Sequence, residues 1–452
     1  MIRRAAALLL AWLPVQGAPP AASINELGGP RLTCLGAERA GSAAGVAAYR
    51  GQWLDGWPGL RDPKAWDAGP YAQEQPLFTI KAENAAPHAA RLTAGQKALF
   101  AKYPQQFRMP VYASHRDFAV PEASCAAAKR NAASAGLAAN GLRLEGAAGA
   151  LPFPIPKDGL QAIWNVLATR HVWNETATID IASVYANGAI AWGRQRYMTL
   201  SPYGDPAVQA SGKPPADAKV GAWFRDEVLL PQRDRGTISV GFQPIDYSGG
   251  STQVWVYNPG TRRLRQAPDI AFDYPVPPGL RTVDDDHLFN GSPERYTWTL
   301  LGKSERYVPY NGFQLDNPAL RYADMLKPGT LNPDVMRYEL HRVWVIEGRL
   351  KPGLRHVYGR RVLYVDEDSW LALSADNYDL RGKLWRTAFV NYRYAPDAQA
   401  FHRGVSVFHD LDAAAYEAAY LVNEAGADGW RLNRSDMKPE WFSPNAAARS
   451  GH

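Results

Sequence analysis

With 452 residues, 46% of them apolar and 21% charged, the chain can bury a sizeable core and does not read as disordered. Its net charge of +6 is scattered among acidic residues, with no long Lys/Arg run and no aromatic-basic platform. That argues against a nucleic-acid partner and admits no more than peripheral contact with an anionic membrane surface. The 15 Trp and 22 Tyr outnumber the 14 Phe, a bias that suits strands lining a cavity or a wet interface.

Met1-Ile2-Arg3-Arg4 forms a basic head, and Ala5 to Leu13 an apolar run too short to span a bilayer. Val15-Gln16-Gly17 then offers small residues for cleavage before Ala18. Residues 1–17 therefore read as a signal peptide, removed on export to the periplasm. In an exported chain the even cysteine count points to a disulfide between Cys34 and Cys125, pinning an N-terminal arm to the first helical region.

Residues 18–150 read as that arm, with Trp53, Trp57 and Trp66 between turn signals, followed by helices. Thr93 to Gln96 has capping-box spacing and Pro104 ends the first helix. Pro121 to Gly136 suggests a second. Asp158 caps a third, in which Leu160, Ile163, Trp164 and Leu167 recur at helical spacing.

Strand patterns dominate residues 151–425. Asn187-Gly188 joins two β runs in a tight hairpin, and Asn258-Pro259-Gly260-Thr261 marks another. Asn317-Pro318 opens a short helix reaching about Met325. In "RYELHRVWVIEGRLKPGLRHVYGRRVLYVDEDSWLALSADNY", residues 337–378, neither face of three strands is plainly polar, so both faces should be covered. His409 to Glu424 reads as an Ala-rich helix, and the 426–452 tail as partly frayed. Hairpin upon hairpin with few helices predicts an α+β, mainly β fold: one large curved antiparallel sheet, with helices covering its concave face. The long Pro-rich connection 267–294, with Phe272, Tyr274, Leu288 and Phe289, reads as a lid.

Chemistry is sparse. Gly302-Lys303-Ser304 lacks the first glycine of a phosphate loop, since Thr297 stands there. Neither a G-x-S-x-G elbow, a His-Glu-x-x-His motif nor Cys-x-x-Cys pairs occur, so no catalytic set, cofactor or metal is predicted. Asp284-Asp285-Asp286-His287 is the dense ligand-type cluster, but consecutive carboxylates on extended backbone diverge. It reads as the cap of a turn or a partner for arginines; the alternative is an exported hydrolase acting on envelope material, centred on these residues.

The blocks "LTCLGAERAGSAAG", "PFPIPKDGLQAIWN", "GLRTVDDDHLFNGSPERYTWTLLGKSERYVPYN", "RYELHRVWVIEGRLKPG" and "DEDSWLALSADNYDLRGKLWR" resemble an exported bacterial family known as domain of unknown function 1329. That family is distantly similar to the LolA/LolB outer-membrane lipoprotein-sorting fold. Two features depart from its pattern: Asp286-His287, where an aromatic is usual, and the Trp-rich arm. The resemblance implies a half-open β-barrel that holds a lipid-like molecule beneath helices, working with a resistance-nodulation-division exporter. Trp192, Trp255, Tyr257, Phe289, Trp298, Trp344, Tyr364 and Trp385 are the candidate lining residues. Which alternating set points inward stays open, because a slip of one residue exchanges the two faces.

Overall fold

The computed structural model describes residues 23–169, 172–250, 252–267, 272–426 and 429–450, and the signal segment lies outside them. In chain order the elements begin with β1 (Phe78–Ile80), α1 (Ala94–Lys102), β2 (Met109–Tyr112), α2 (Glu122–Ser134), β3 (Gly136–Leu137), β4 (Leu144–Glu145) and α3 (Gly159–Ala168). Next come β5 (Asn174–Val184), β6 (Ile190–Leu200), α4 (Pro206–Ser211), β7 (Val220–Leu230), β8 (Ile238–Pro244), β9 (Gln253–Asn258) and β10 (Arg263–Gln266). The covering segment and its sequel hold β11 (Pro275–Val276), β12 (Arg281–Thr282), β13 (Tyr296–Pro309) and α5 (Tyr322–Met325). The chain closes with β14 (Tyr338–Leu350), β15 (Arg360–Asp366), β16 (Ala372–Tyr378), β17 (Leu384–Ala395), β18 (Ala400–Asp410), β19 (Ala415–Leu421), β20 (Arg431–Leu432) and α6 (Pro444–Ser450).

Sixteen strands form one open sheet in the order β1-β2-β14-β15-β16-β17-β18-β19-β5-β6-β7-β8-β9-β10, with β13 on β14 and β20 on β5. The pairing is antiparallel except between β2 and β14, which run parallel with Tyr338 opposite Val111. β1 and β2 from the N-terminal region, and β20 from the tail, thus join the sheet built by residues 174–421.

Local signals explain the best-read elements. Gly188 adopts φ +83° in the β5–β6 turn, a left-handed conformation that Gly takes without strain. Thr93 and Gln96 cap α1 reciprocally, and Asp158 accepts from the Gln161 amide at 2.8 Å to start α3. Gly159 lets α3 lie directly on β13: a Cβ there would fall 2.4 Å from the Trp298 carbonyl carbon.

Both faces of the sheet are covered, which answers the missing polar face of residues 337–378. On one side Ile163 and Trp164 of α3 pack with Trp298, Ile346 and Leu363. On the other, Leu99 and Phe100 of α1 pack with Leu340, Val405 and Val407. So helices serve both faces, α3 on one and α1 on the other, rather than all of them one side.

Three expectations are corrected. Residues 409–424 are not a helix: Asp410 and Ala415 end a hairpin, and each residue of β19 is buried. Alanine's helix propensity, a fraction of a kcal/mol per residue, yields to pairing between β18 and β5, where every side chain of the strand is buried. The helix expected from Asn317 to Met325 shortens to Tyr322–Met325. The tail is docked, not frayed: Ala447 of α6 is fully buried against Ile238, Val240 and Tyr257.

Candidate functional site

A cavity of about 400 Å³ lies on the α3 face of the sheet. Its lining runs from Ala372 on β16, through Tyr392 and Arg403, to Tyr197, Phe224, Gln243 and Val254 on β9. Those strands stand nine abreast in the sheet order. Flat, at about 4.8 Å per strand, they would span about 38 Å. Residues from both ends share one cavity only because the sheet bends around it.

Register decides which side chains face inward. Tyr197 pairs with Asp226 and Thr199 with Phe224 across β6 and β7, while Phe224 pairs with Gly241 and Gly241 with Val254 further on. Val166 of α3 and Thr169, which follows its end, close one side. The 272–290 segment closes another with Phe272, Val276, Arg281, Asp286 and His287.

The walls mix apolar and polar side chains and carry a dense ionic network. Arg403, 2% exposed, donates to Asp286 at 2.8 Å, to Glu175 at 3.3 Å and to the Tyr197 hydroxyl. His402 Nε2 lies 2.8 Å from Glu175, and Tyr420 donates to Asp286 at 2.7 Å. The Arg403 guanidinium also sits 3.8 Å from the Tyr420 ring centroid, a cation–π contact. Burial alone would raise the Glu175 and Asp286 pKa values; Arg403, aided by His402 and His287 respectively, outweighs it and holds both well below the usual carboxylate range. Arg281 pairs with Glu417 at 2.6 Å.

Asp226 behaves oppositely. Burial, reinforced by the like charge of Asp286, pushes its carboxyl up to about 7 against the opposing pull of Arg403 and Arg281. A carboxyl whose folded pKa exceeds its unfolded value costs stability once the unfolded chain ionises, so the penalty grows from about pH 4 and levels off above about pH 7. Asp226→Asn is therefore expected to match the parent below pH 4 and gain on the order of 1–2 kcal/mol at pH 8, the cavity's solvent access reducing the full effect. Urea denaturation at both pH values checks this; equal stability at pH 8 would refute it.

The 284–287 cluster divides. Asp284 and Asp285 point into the core, where both accept from Arg361. Asp285 also caps its own turn by accepting from the Thr282 amide at 2.7 Å, so both structural roles read from the sequence occur. Asp286 and His287 face the cavity instead. His287 takes φ +50°, and this reversal turns the chain so that the two halves of the cluster diverge.

The sequence-selected aromatics lie elsewhere. Trp192 is 39% exposed and stacks on Tyr322 on the far face. Trp255 and Tyr257 pack beneath α6, also on the far face, since Trp255 pairs with Val240 and the inward residue is Val254. Phe289 and Trp298 touch each other at 4.8 Å between centroids in the α3 core. Trp344 stacks on Trp370 beneath Lys303, Tyr364 donates to Asp376 at 3.1 Å, and Trp385 lies 4.0 Å from the Arg386 guanidinium. None of the eight lines the 400 Å³ cavity. The physical reason on β9 is a one-residue parity, and on β13–β15 it is that α3 fills that stretch of the face solidly. Tyr197, Phe224, Asp226 and Arg403 were missed. For Phe224 and Asp226 the signal is alternation within "AWFRDE", where they share one face with Ala222.

The chain matches, over residues 79–448, the family described as protein of unknown function (DUF1329). It belongs to the DUF1329 family. It is 38% identical over 428 residues to the uncharacterized protein PA3922 of Pseudomonas aeruginosa, covering 94% of this chain and 92% of that one. Among solved structures, a DUF1329 family protein from Desulfovibrio piger aligns at 14% identity over 64% of this chain and 100% of its own, with a TM-score of 0.43. A putative outer membrane lipoprotein-sorting protein domain from Vibrio parahaemolyticus aligns at 14% identity, covering 61% and 92%, with a TM-score of 0.42. No helix among the described residues of this DUF1329 chain is long and apolar enough to cross a membrane.

Proposed function

We propose that this DUF1329 protein is a periplasmic carrier that takes one small amphiphile into the cavity between the bent sheet and the 272–290 segment. The cavity carries this reading: about 400 Å³, lined by Val166, Phe224, Val254 and Phe272 and also by Tyr197, Asp226, Asp286 and Arg403. The volume falls in the range of about 300–1,000 Å³ usual for ligand sites, and the polar groups on the wall would fix the orientation of an amphiphile's head. The volume favours a single chain or compact ring over a lipid with several acyl chains. Burying roughly eight methylenes at about 0.8 kcal/mol each would contribute about 6 kcal/mol, a dissociation constant on the order of 10–100 μM before any polar contact. A resistance-nodulation-division exporter is the partner expected from the family resemblance, and crosslinking in cells tests it.

Titration with a fluorescent single-chain fatty-acid analogue tests binding. Saturable uptake is expected at one site, weakened at least tenfold by Ala222→Trp, which fills the cavity from β7. No saturable uptake, or uptake indifferent to Ala222→Trp in a folded protein, would refute the reading.

The hydrolase alternative keeps one supporting observation, the cavity-facing group of Asp226, Asp286 and His287. Asp285 is a poor probe of it, because that carboxylate is bound to Arg361 and Tyr358. His287→Ala is the discriminating variant: loss of a measurable turnover with amphiphile binding intact would favour the enzyme.

A further inference from the structure

Outside the cavity, strand pairing gathers residues that no sequence spacing announces. Val343 on β14 lies opposite Asp366 on β15, so two residues further along His341 comes beside the turn that carries Asp368. One donor atom from each of His341, Asp366 and Asp368 falls within 4.8 Å of the others. Two further observations bear on what such a cluster is for. Asp366, fully buried, accepts from Tyr310 at 3.1 Å and from the Ser369 amide and hydroxyl at 2.9 and 2.6 Å, all on Oδ2. Its Oδ1, equally enclosed, has no partner. An unsatisfied buried carboxylate oxygen is costly unless something positive meets it.

The second observation is the setting of the histidine. His341 is 1% exposed, stacks on Tyr310 at 3.7 Å, and places Nε2 3.0 Å from the Glu339 carboxylate. A carboxylate behind an imidazole fixes its tautomer and leaves the opposite ring nitrogen for a metal. We infer that His341, Asp366 and Asp368 form a binding site for one divalent transition-metal ion, with Glu339 orienting the histidine. One imidazole with two carboxylates suits Zn²⁺ or a similar ion, with bonds of about 2.0–2.2 Å. In a tetrahedral shell, ligands at such distances stand about 3.3–3.6 Å apart, so the three donors would draw together by up to about 1.4 Å around the ion.

Arg116 is the competing cation. It holds both Asp368 oxygens, at 2.6 and 2.7 Å, and does not reach Asp366 Oδ1. Each Asp368 oxygen keeps a second lone pair, so the carboxylate can bridge guanidinium and metal. Asp368 and Ser369 line a second cavity of about 200 Å³ beneath the N-terminal arm, so an ion entering it would meet Asp368 first. Thr169 and Phe401 belong to the walls of both cavities, so the two cavities adjoin.

The experiment uses the full exported chain, stripped with a chelator and titrated with Zn²⁺ by calorimetry. One equivalent is expected to bind, with affinity falling at least tenfold in Asp366→Asn and in His341→Gln and with the metal-dependent rise in Tm abolished. Absence of stoichiometric binding overturns the inference, as does binding that both folded variants retain. Should either variant fail to fold, X-ray absorption on the Zn²⁺-loaded parent decides: one imidazole with oxygen ligands supports the site, and two or more imidazoles contradict it.

Discussion

Arg361→Ala is expected to destabilise the protein by about 3–5 kcal/mol at pH 7.5, the largest effect of any single side chain here. Arg361 is fully buried and donates to Asp284 and Asp285, and to Asn377 at 3.2 Å. Its guanidinium also faces the rings of Phe289 and Tyr358 at 5.2 and 5.0 Å. Removing it strands two adjacent carboxylates in the core. Burial would raise the Asp284 pKa, but Arg361 and His356 outweigh it and hold that carboxyl well below its ordinary value. Because the folded pKa is depressed, the stability it contributes is present above about pH 4 and is lost only as pH falls further. In the variant the stranded carboxylates can take up protons, so the deficit should shrink as pH falls from 7.5 to 4.5. Urea denaturation at both values measures it; a loss under about 1 kcal/mol at pH 7.5 would show that the pair contributes little. The same residue anchors Val283–Leu288, the turn that presents Asp286 and His287 to the cavity, so amphiphile affinity should fall with stability.

Removal of the Cys34–Cys125 disulfide is the second large effect. The bridge links positions 91 residues apart, and closing such a loop restricts the unfolded chain by about 4–5 kcal/mol. The double Cys34→Ser/Cys125→Ser variant should lose up to that amount, and reducing the parent should reproduce the loss. The damage has a location. The arm beside Cys34 supplies the Leu35 carbonyl that accepts from Trp370 Nε1 at 3.0 Å, and Leu35 lines the second cavity. An unchanged unfolding midpoint under reduction would contradict this role.

Sequence patterns made the strands and the caps of α1 and α3 legible because each rests on contacts that a short window contains, and the disulfide because an exported chain holds just two cysteines. The hairpin at Asn187-Gly188 set the register of β5 and β6 outright. What a window could not contain was the far side of each strand. β19 looked helical because alanines carry no clue that two cores press on them, one through Ala419 and one through Ala418. The aromatic face of β9 looked like a lining because nothing near Trp255 reveals that Ala447, almost two hundred residues on, covers it. Large aromatics mark burial, and here they mark solid core; the cavity is lined by smaller and charged groups such as Ala222, Asp226 and Arg403. The charged lining was hardest to see, since an Arg in a β run reads as solvent-facing until its partners, Asp286 and Glu175, arrive from distant segments.

Native mass spectrometry of the protein released gently from the cells that make it, without delipidation, tests the central claim most directly. The expected result is a one-to-one mass excess belonging to a single amphiphile, absent from the Ala222→Trp variant prepared alongside. A bare polypeptide mass in both preparations, persisting after exposure to membrane extract, would contradict it.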